Sequence, residues 1–451
     1  MNILIAGDSN IALHLAKLLS GENHDVTLVA PSKSFLKQIE SQSDLMTMVG
    51  DSTSIQLLKN ANARRTDLLI SVHFDGRLNI LTALLGKRLG AKKCIAKVNE
   101  PECLSEEFKR HYHDLGIDYL VSPERIAAKE IVNLLTNTAA AEIFDFTDHK
   151  LSLMLVKLEK GAPVNNKSLK EIARDYNQMN FRAVSIHRRA QTIIPRGDDR
   201  FQEDDMAYVV TKPSGISHLL KLSGKKHFDI NNVMIVGGGD VGTQAASALE
   251  KKINIKLFDM GYDRANKLTD MLNSTLVIHG DARDMSFLES ESVGSMDAFV
   301  AVTDNTETNI LTCLLAKRYG VKKTIALVEN IDFIEIAQSI GIDTIINKKL
   351  ATASYILRFT MTADVISTKC LTSVDAEVFE FIAKEDSPVV KKPIKRLNFP
   401  KQAIIGGVIR NNEGYIARGD MQVEPGDKVV VFALPEAFDG VDKMFKSKSG
   451  K

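Results

Sequence analysis

Residues 237–242 read Gly237-Gly238-Gly239-Asp240-Val241-Gly242, and glycines at this spacing handle phosphate. Gly237 permits a tight turn, Gly239 lets the backbone approach a pyrophosphate, and Gly242 lets a helix pack closely on a strand, with Asp240 and Val241 between them. The first N–H groups of the helix that follows then face the anion. Asp259 stands 20 residues after Gly239. At that distance a strand-end carboxylate accepts hydrogen bonds from a ribose diol and repels a 2′-phosphate. The pattern points to NAD(H) over NADP, with ATP or ADP as the other adenosine nucleotides it would admit.

Two further clusters belong to the same edge. Asp281 and Ala282, after Gly280, are expected to bound an adenine pocket; Thr303, Asp304 and Asn305 follow the next strand, where ligands of open parallel sheets lie, although such residues also cap helices. The first half holds weaker counterparts. Gly7, Ser9, Asn10 and Ile11 occupy the turn and Asp51 matches Asp281, but Ser9 and Ala12 replace the second and third glycines and Ala30 replaces the ribose acid. Backbone N–H groups and the Ser9 hydroxyl can still meet phosphate there, while ribose recognition is lost. Lys97, where the second half has Leu327, reads as a solvated strand-end lysine.

The elements that position these residues are written twice. Gly237 lies 230 positions after Gly7, and the same offset relates Gly280-Asp281 to Gly50-Asp51, Asn309 to Asn79 and Lys317-Arg318 to Lys87-Arg88. Short apolar runs at 3–6, 26–29, 68–72 and 95–98, and again at 233–236, 255–258, 276–278, 298–302 and 324–328, alternate with helix-period segments. Such runs imply a parallel sheet covered on both faces. A second likeness, Arg196-Gly197-Asp198 with Asp205 against Arg418-Gly419-Asp420 with Asp427, marks smaller units at offset 222. The fold class is therefore α/β: two doubly wound Rossmann-like domains, each followed by a small α+β domain. The expected extents are 1–138, 139–225, 230–365 and 366–451, with the stretch 214–232, carrying Lys225-Lys226, as the joint between halves.

Several chemistries are missing. The ten histidines are scattered, His111 and His113 point to different faces of a helix, and no Walker lysine, G-x-S-x-G or H-E-x-x-H pattern occurs. No catalytic apparatus is expected, and the competing reading, an NAD-dependent oxidoreductase, lacks a proton-transfer group. The four cysteines have no C-x-x-C spacing, so neither a metal site nor a disulfide framework is expected. With 58 Lys and Arg against 57 Asp and Glu, no basic field is available for nucleic acid. No apolar run reaches the 18 residues of a membrane span, and the chain runs from Met1-Asn2 straight into a strand with no room for a secretory signal, so it is expected in the cytoplasm.

Taken together, residues 233–242, Asp259, Gly280-Asp281-Ala282 and Val302-Thr303-Asp304-Asn305-Thr306-Glu307-Thr308-Asn309 resemble the regulator-of-conductance-of-potassium (RCK) family. The duplicated order of units without a membrane segment resembles the peripheral regulatory subunits of Trk-type potassium uptake systems. The resemblance implies a tandem RCK repeat that self-associates into a dimer or tetrameric ring, docks on a TrkH-type membrane potassium transporter at the inner face of the plasma membrane, and gates it in response to NAD(H), ATP or ADP. In the first half, residues 73–79 depart from the family pattern, keeping Asn79 and Asp75.

Overall fold

A computed structural model of the chain describes residues 1–22, 24–40, 45–136, 142–176, 180–189, 191–224, 228–361, 363–371, 374 and 376–447. The expected domain edges at 138/139, 225 and 451, and the Lys225-Lys226 joint, lie outside these residues. Compactness divides the chain into one unit of residues 1–126 with 348–360 and another of residues 127–347 with 361–451.

In the first unit, strands β1 (Asn2–Ala6), β2 (Asp25–Ala30), β3 (Met46–Val49), β4 (Leu68–Ser71), β5 (Lys93–Lys97) and β6 (Tyr119–Val121) alternate with helices α1 (Asn10–Gly21), α2 (Lys33–Glu40), α3 (Ile55–Asn60), α4 (Gly76–Leu89) and α5 (Glu106–Asp114). The sheet order is β3-β2-β1-β4-β5-β6 and every pairing is parallel. Leu68 to Ser71 are all buried, as a strand covered on both faces requires. The order reverses between β1 and β4, the switch point at which such sheets bind ligands. Helix α6 (Pro123–Thr136) follows, and its residues from Ala127 onward belong to the second unit.

The second unit holds two small antiparallel sheets and one parallel sheet. The first small sheet is formed by β7 (Glu142–Asp145), β8 (Ser152–Lys157), β9 (Phe181–Arg188), β10 (Gln191–Ile193) and β11 (Met206–Thr211), in the order β10-β9-β11-β8-β7, with α7 (Leu169–Asp175) and α8 (Ile216–Leu222). Ser168 starts α7 with a capping box to Glu171. The parallel sheet then repeats: β12 (Asn232–Val236), α9 (Asp240–Leu249), β13 (Asn254–Asp259), α10 (Tyr262–Met271), β14 (Leu276–His279), α11 (Met285–Ser290), β15 (Ala298–Ala301), α12 (Thr306–Arg318), β16 (Lys323–Leu327), α13 (Asp332–Ser339) and β17 (Thr344–Ile346). Its order, β14-β13-β12-β15-β16-β17, is that of the first sheet. The helix after it, α14 (Lys348–Leu357), packs in the first unit beside α1. The chain ends in β18 (Val365–Cys370), β19 (Glu377–Ile382), β20 (Ala403–Arg410), β21 (Glu413–Ile416), β22 (Lys428–Ala433) and α15 (Phe438–Phe445), with sheet order β18-β19-β22-β20-β21.

Both parallel sheets and both small antiparallel sheets therefore match the duplicated α/β reading. Several buried clusters hold the second unit, and two of them join its layers. Ala127, Ile131, Leu134 and Leu135 of α6 share a buried cluster with Val233, Ile235 and Ala245 of the parallel-sheet layer. The two small sheets share another, in which Leu153, Leu155, Tyr208 and Val210 meet Val378, Val430 and Phe432. Each such valine, leucine or isoleucine side chain contributes about 1.5–3 kcal/mol when fully buried. Among the described residues no helix is long and apolar enough to cross a membrane.

Candidate functional site

At the switch point of the second parallel sheet lies a cavity of about 800 Å³. Gly237 forms its floor at φ +110°, a region closed to most side chains, and a Cβ there would stand 2.8 Å from the Val302 carbonyl. At Gly242 a Cβ would collide with the Gly237 carbonyl oxygen, so this glycine lets α9 sit directly on the turn. Gly239 has no atom within 4 Å of where its Cβ would be, because that space is the cavity.

Eight of the expected residues line it: Gly237, Gly239, Asp259, Asp281, Ala282, Thr303, Asp304 and Asn305. Three do not. Asp240 is exposed on the first turn of α9, while Val241 and Gly242 are buried beneath it.

Asp259 is 6% exposed, and its carboxylate is already engaged. Oδ2 accepts from the Gly238 N–H at 2.9 Å and Oδ1 from the Gly261 N–H at 2.7 Å, while Arg264 Nη1 stands 3.4 Å from Oδ2. A carboxylate offers about four lone-pair sites, so a ribose hydroxyl can still be accepted. Asp281 is clasped by Arg283 through contacts of 2.7, 3.0 and 3.1 Å. That side chain, and then the Arg283 N–H, hold its carboxyl below the usual range. Asn305 caps α12 by accepting from the Thr308 N–H at 2.6 Å, so the capping role falls to it and not to Asp304.

The glycine and acid pattern did not reveal Arg264, Arg283, Asp263, Met260 or Tyr262, which also line the cavity. Met260 and Tyr262 are 62% and 64% exposed at its lip, and the Tyr262 ring stands edge-on to His279 at 5.6 Å. The one signal available for Met260, Tyr262, Asp263 and Arg264 was their place directly after the ribose acid, and for Arg283 its place two residues after Asp281. Among the described residues no group of three or more His, Cys, Asp or Glu could hold a metal ion.

The first module spends the corresponding residues on itself. Ser9 is buried; its hydroxyl donates to the Val72 carbonyl at 2.5 Å and accepts from the Ala12 N–H at 3.4 Å as the cap of α1, so it is not presented to a phosphate. Gly7 is buried, Asn10 is exposed and Ile11 is half-buried. Asp51 turns its Oδ1 onto the Thr53 N–H and hydroxyl at 2.8 and 2.7 Å. Lys97 is 6% exposed, which corrects the solvated reading: it is held inside the first unit, where burial lowers its ammonium and Glu124 and Asp8 oppose that shift.

His73, 3% exposed, lies with Nδ1 3.4 Å from Asp8 Oδ1 and Nε2 2.8 Å from Ser52 Oγ. This order of contacts is that of a nucleophilic relay. Ser52, however, is 2% exposed and shares its hydroxyl with Thr82 at 2.9 Å, so no substrate carbonyl reaches it and the chain of contacts is a brace.

Comparisons with known proteins agree with this architecture. Residues 3–123 and 233–348 match the TrkA-N domain, and residues 153–224 and 378–446 match the TrkA-C domain. The chain is 30% identical over 454 residues to the Trk system potassium uptake protein TrkA of Vibrio alginolyticus, covering 99% of each chain. It is 30% identical over 451 residues to that of Halomonas elongata, again covering 99% of each, and 29% identical to a TrkA homologue of Archaeoglobus fulgidus over 99% and 100%. Among solved structures, the GsuK RCK domain superposes with a TM-score of 0.61 at 17% identity, covering 98% of this chain and 94% of that one. The GsuK channel bound to NAD gives 0.61 at 17% identity over 98% and 78%; these two establish likeness of fold.

Proposed function

The chain belongs to the TrkA family, a non-enzymatic family of RCK-type regulators of Trk potassium uptake, and from that premise we propose that it is a nucleotide-sensing subunit that gates a TrkH-type membrane potassium transporter. The observation that carries the nucleotide part is the cavity at the second switch point, where an unobstructed Gly239 and the strand-end Asp259 face one another's ligand positions. The GsuK channel, of like fold, has been solved with NAD and with ADP, which supports an adenosine nucleotide as the ligand class.

NAD(H) is the preferred occupant. Four carboxylates line the cavity (Asp259, Asp263, Asp281 and Asp304) against two guanidinium groups, Arg264 and Arg283, which already lean on Asp259 and Asp281. A triphosphate brings more negative charge into that rim than a dinucleotide does. Met260 and Tyr262 offer the apolar wall beside which an adenine ring stacks. Residues 1–138, 139–225, 230–365 and 366–451 serve in this reading as alternating nucleotide-type and small domains. The subunit works at the cytoplasmic face of the membrane, as a self-associated dimer or tetrameric ring.

No bond is made or broken. A ligand moves the pore only by binding one conformation of the assembly better, and a tenfold preference corresponds to about 1.4 kcal/mol. Calorimetric titration with NADH, NAD, ATP and ADP tests the ligand, and Asp259→Ala and Gly239→Ser test the site. Saturable binding lost in both variants is the expected result. Potassium uptake by cells carrying the transporter with and without this chain tests the partner, and recovery of the chain with a different membrane protein would overturn it.

A further inference from the structure

The two modules differ reciprocally at one pair of positions. The Gly7 N–H bonds the Val29 carbonyl as the Gly237 N–H bonds the Phe258 carbonyl, so Asp8 stands in the place of Gly238 and Ala30 in the place of Asp259. An ideal Cβ on Gly238 would lie 2.4 Å from Leu268 Cδ1, a flexible side-chain end, 3.0 Å from Asp259 Oδ2 and 3.3 Å from its Cβ. A side chain on the loop and a carboxylate at the strand end therefore compete for the same volume. The second module resolves this with glycine on the loop, the first with alanine on the strand.

The carboxylate of Asp8 does not take over the contacts of Asp259. Its Oδ1 accepts from the Phe74 N–H at 3.3 Å and lies 3.4 Å from His73 Nδ1. His73 and Phe74 follow β4 as Thr303 and Asp304 follow β15. The contact thus runs from the loop after β1 to the loop after β4, across the point where the strand order reverses. In the second module that same span is the open cavity lined by Gly237, Gly239, Thr303 and Asp304. The brace is anchored below by Ser52 and Thr82, and Ser9 has spent its hydroxyl on Val72. A fixed negative charge held across the switch point opposes a pyrophosphate there.

We propose that Asp8 is an internal anion that closes the first Rossmann module, so that each chain binds one nucleotide, in the second module, while the first serves as a ligand-independent half. This rests on the nucleotide reading of the second cavity. The test is calorimetric titration of the full chain with NADH and with ADP. The wild-type chain is expected to take up one NADH, Asp259→Ala none, and the double variant Asp259→Ala/Asp8→Gly to recover ADP binding in the first module. Absence of any binding to the wild-type chain overturns the nucleotide reading and this inference with it. Two nucleotides per wild-type chain overturn this inference alone, whether or not the double variant folds, and so does a folded double variant, judged by its thermal melt, that binds no ADP.

Discussion

Asn309 holds Thr303 from both sides. Wholly buried, it accepts at Oδ1 from the Thr303 N–H at 3.0 Å and hydroxyl at 2.6 Å, and its Nδ2 donates to the Thr303 and Leu327 carbonyls, each at 2.9 Å. Asn79 repeats the device, accepting from the His73 N–H at 2.6 Å and donating to the His73 and Lys97 carbonyls at 3.1 and 3.0 Å. Each leaves buried backbone groups unpaired when truncated, at about 1–3 kcal/mol per group. Asn309→Ala is expected to lower both the melting temperature and nucleotide affinity, because the loop it pins lines the cavity. Asn79→Ala is expected to lower the melting temperature only. Equal affinity losses in the two variants would refute the division of roles.

Gly239 and Gly242 separate ligand from fold. Open space surrounds the missing Cβ of Gly239, so Gly239→Ala should melt like the parent and bind nucleotide more weakly. Gly242→Ala drives a methyl into the Gly237 carbonyl, and overpacking of this kind costs about 1–3 kcal/mol. Paired thermal melts and titrations check both; an unchanged melt for Gly242→Ala would contradict the close helix approach.

Lys369 lies buried with Nζ 2.5 Å from Glu130 Oε1 and 3.5 Å from Glu142 Oε1, and Glu142 also accepts from the Tyr208 hydroxyl at 2.6 Å. Burial alone would lower this ammonium, but the facing carboxylates outweigh it and hold it protonated. Lys369→Met strands two buried carboxyl groups and should cost about 3–5 kcal/mol in urea unfolding. Adding Glu130→Gln and Glu142→Gln should recover much of that loss. A triple variant as unstable as the single one would mean the charge balance is not the cause.

His14 on α1 is pushed down to about 4, by burial first and then by Lys349 and Lys17, and among the described residues its Nε2 meets no hydrogen-bond partner. A histidine whose folded value lies below its unfolded value of 6.5 takes up its proton more readily when unfolded. Its contribution is therefore complete above about pH 6.5 and is lost as pH falls toward 4, to a total on the order of 3 kcal/mol. Denaturant midpoints measured across that window should fall for the parent and flatten for His14→Phe.

The glycine turn and Asp259 were legible because their constraints are local: a tight turn, a helix start and a strand end sit within one short segment. Arg264 and Arg283 were not, since their long side chains reach the cavity from the first turn of α10 and from the turn after β14, whose placement depends on the whole sheet. Strands β6 and β17 escaped notice because they are three residues long, and β3 because Thr47 breaks its apolar run, where the matching edge strand β14 reads Leu276-Val277-Ile278. Lys97 misled because a charge at a strand end is ordinarily solvated, and only the folded unit brings Glu124 and Lys348 near it. The placement of α14 leaves no mark in chain order, for its sequence follows β17 as α6 follows β6.

That placement matters while the protein is being made. The first unit needs residues 348–360, and the 221 residues from 127 to 347 must leave the ribosome before they arrive. At about 5–20 residues per second this is a wait of roughly 10–45 s. Throughout it the side of α1 that meets α14, where His14 lies beside Lys349, lacks its helical cover and is open to chaperones and proteases. A message truncated before codon 348 would yield a first unit without α14, however intact its own codons are.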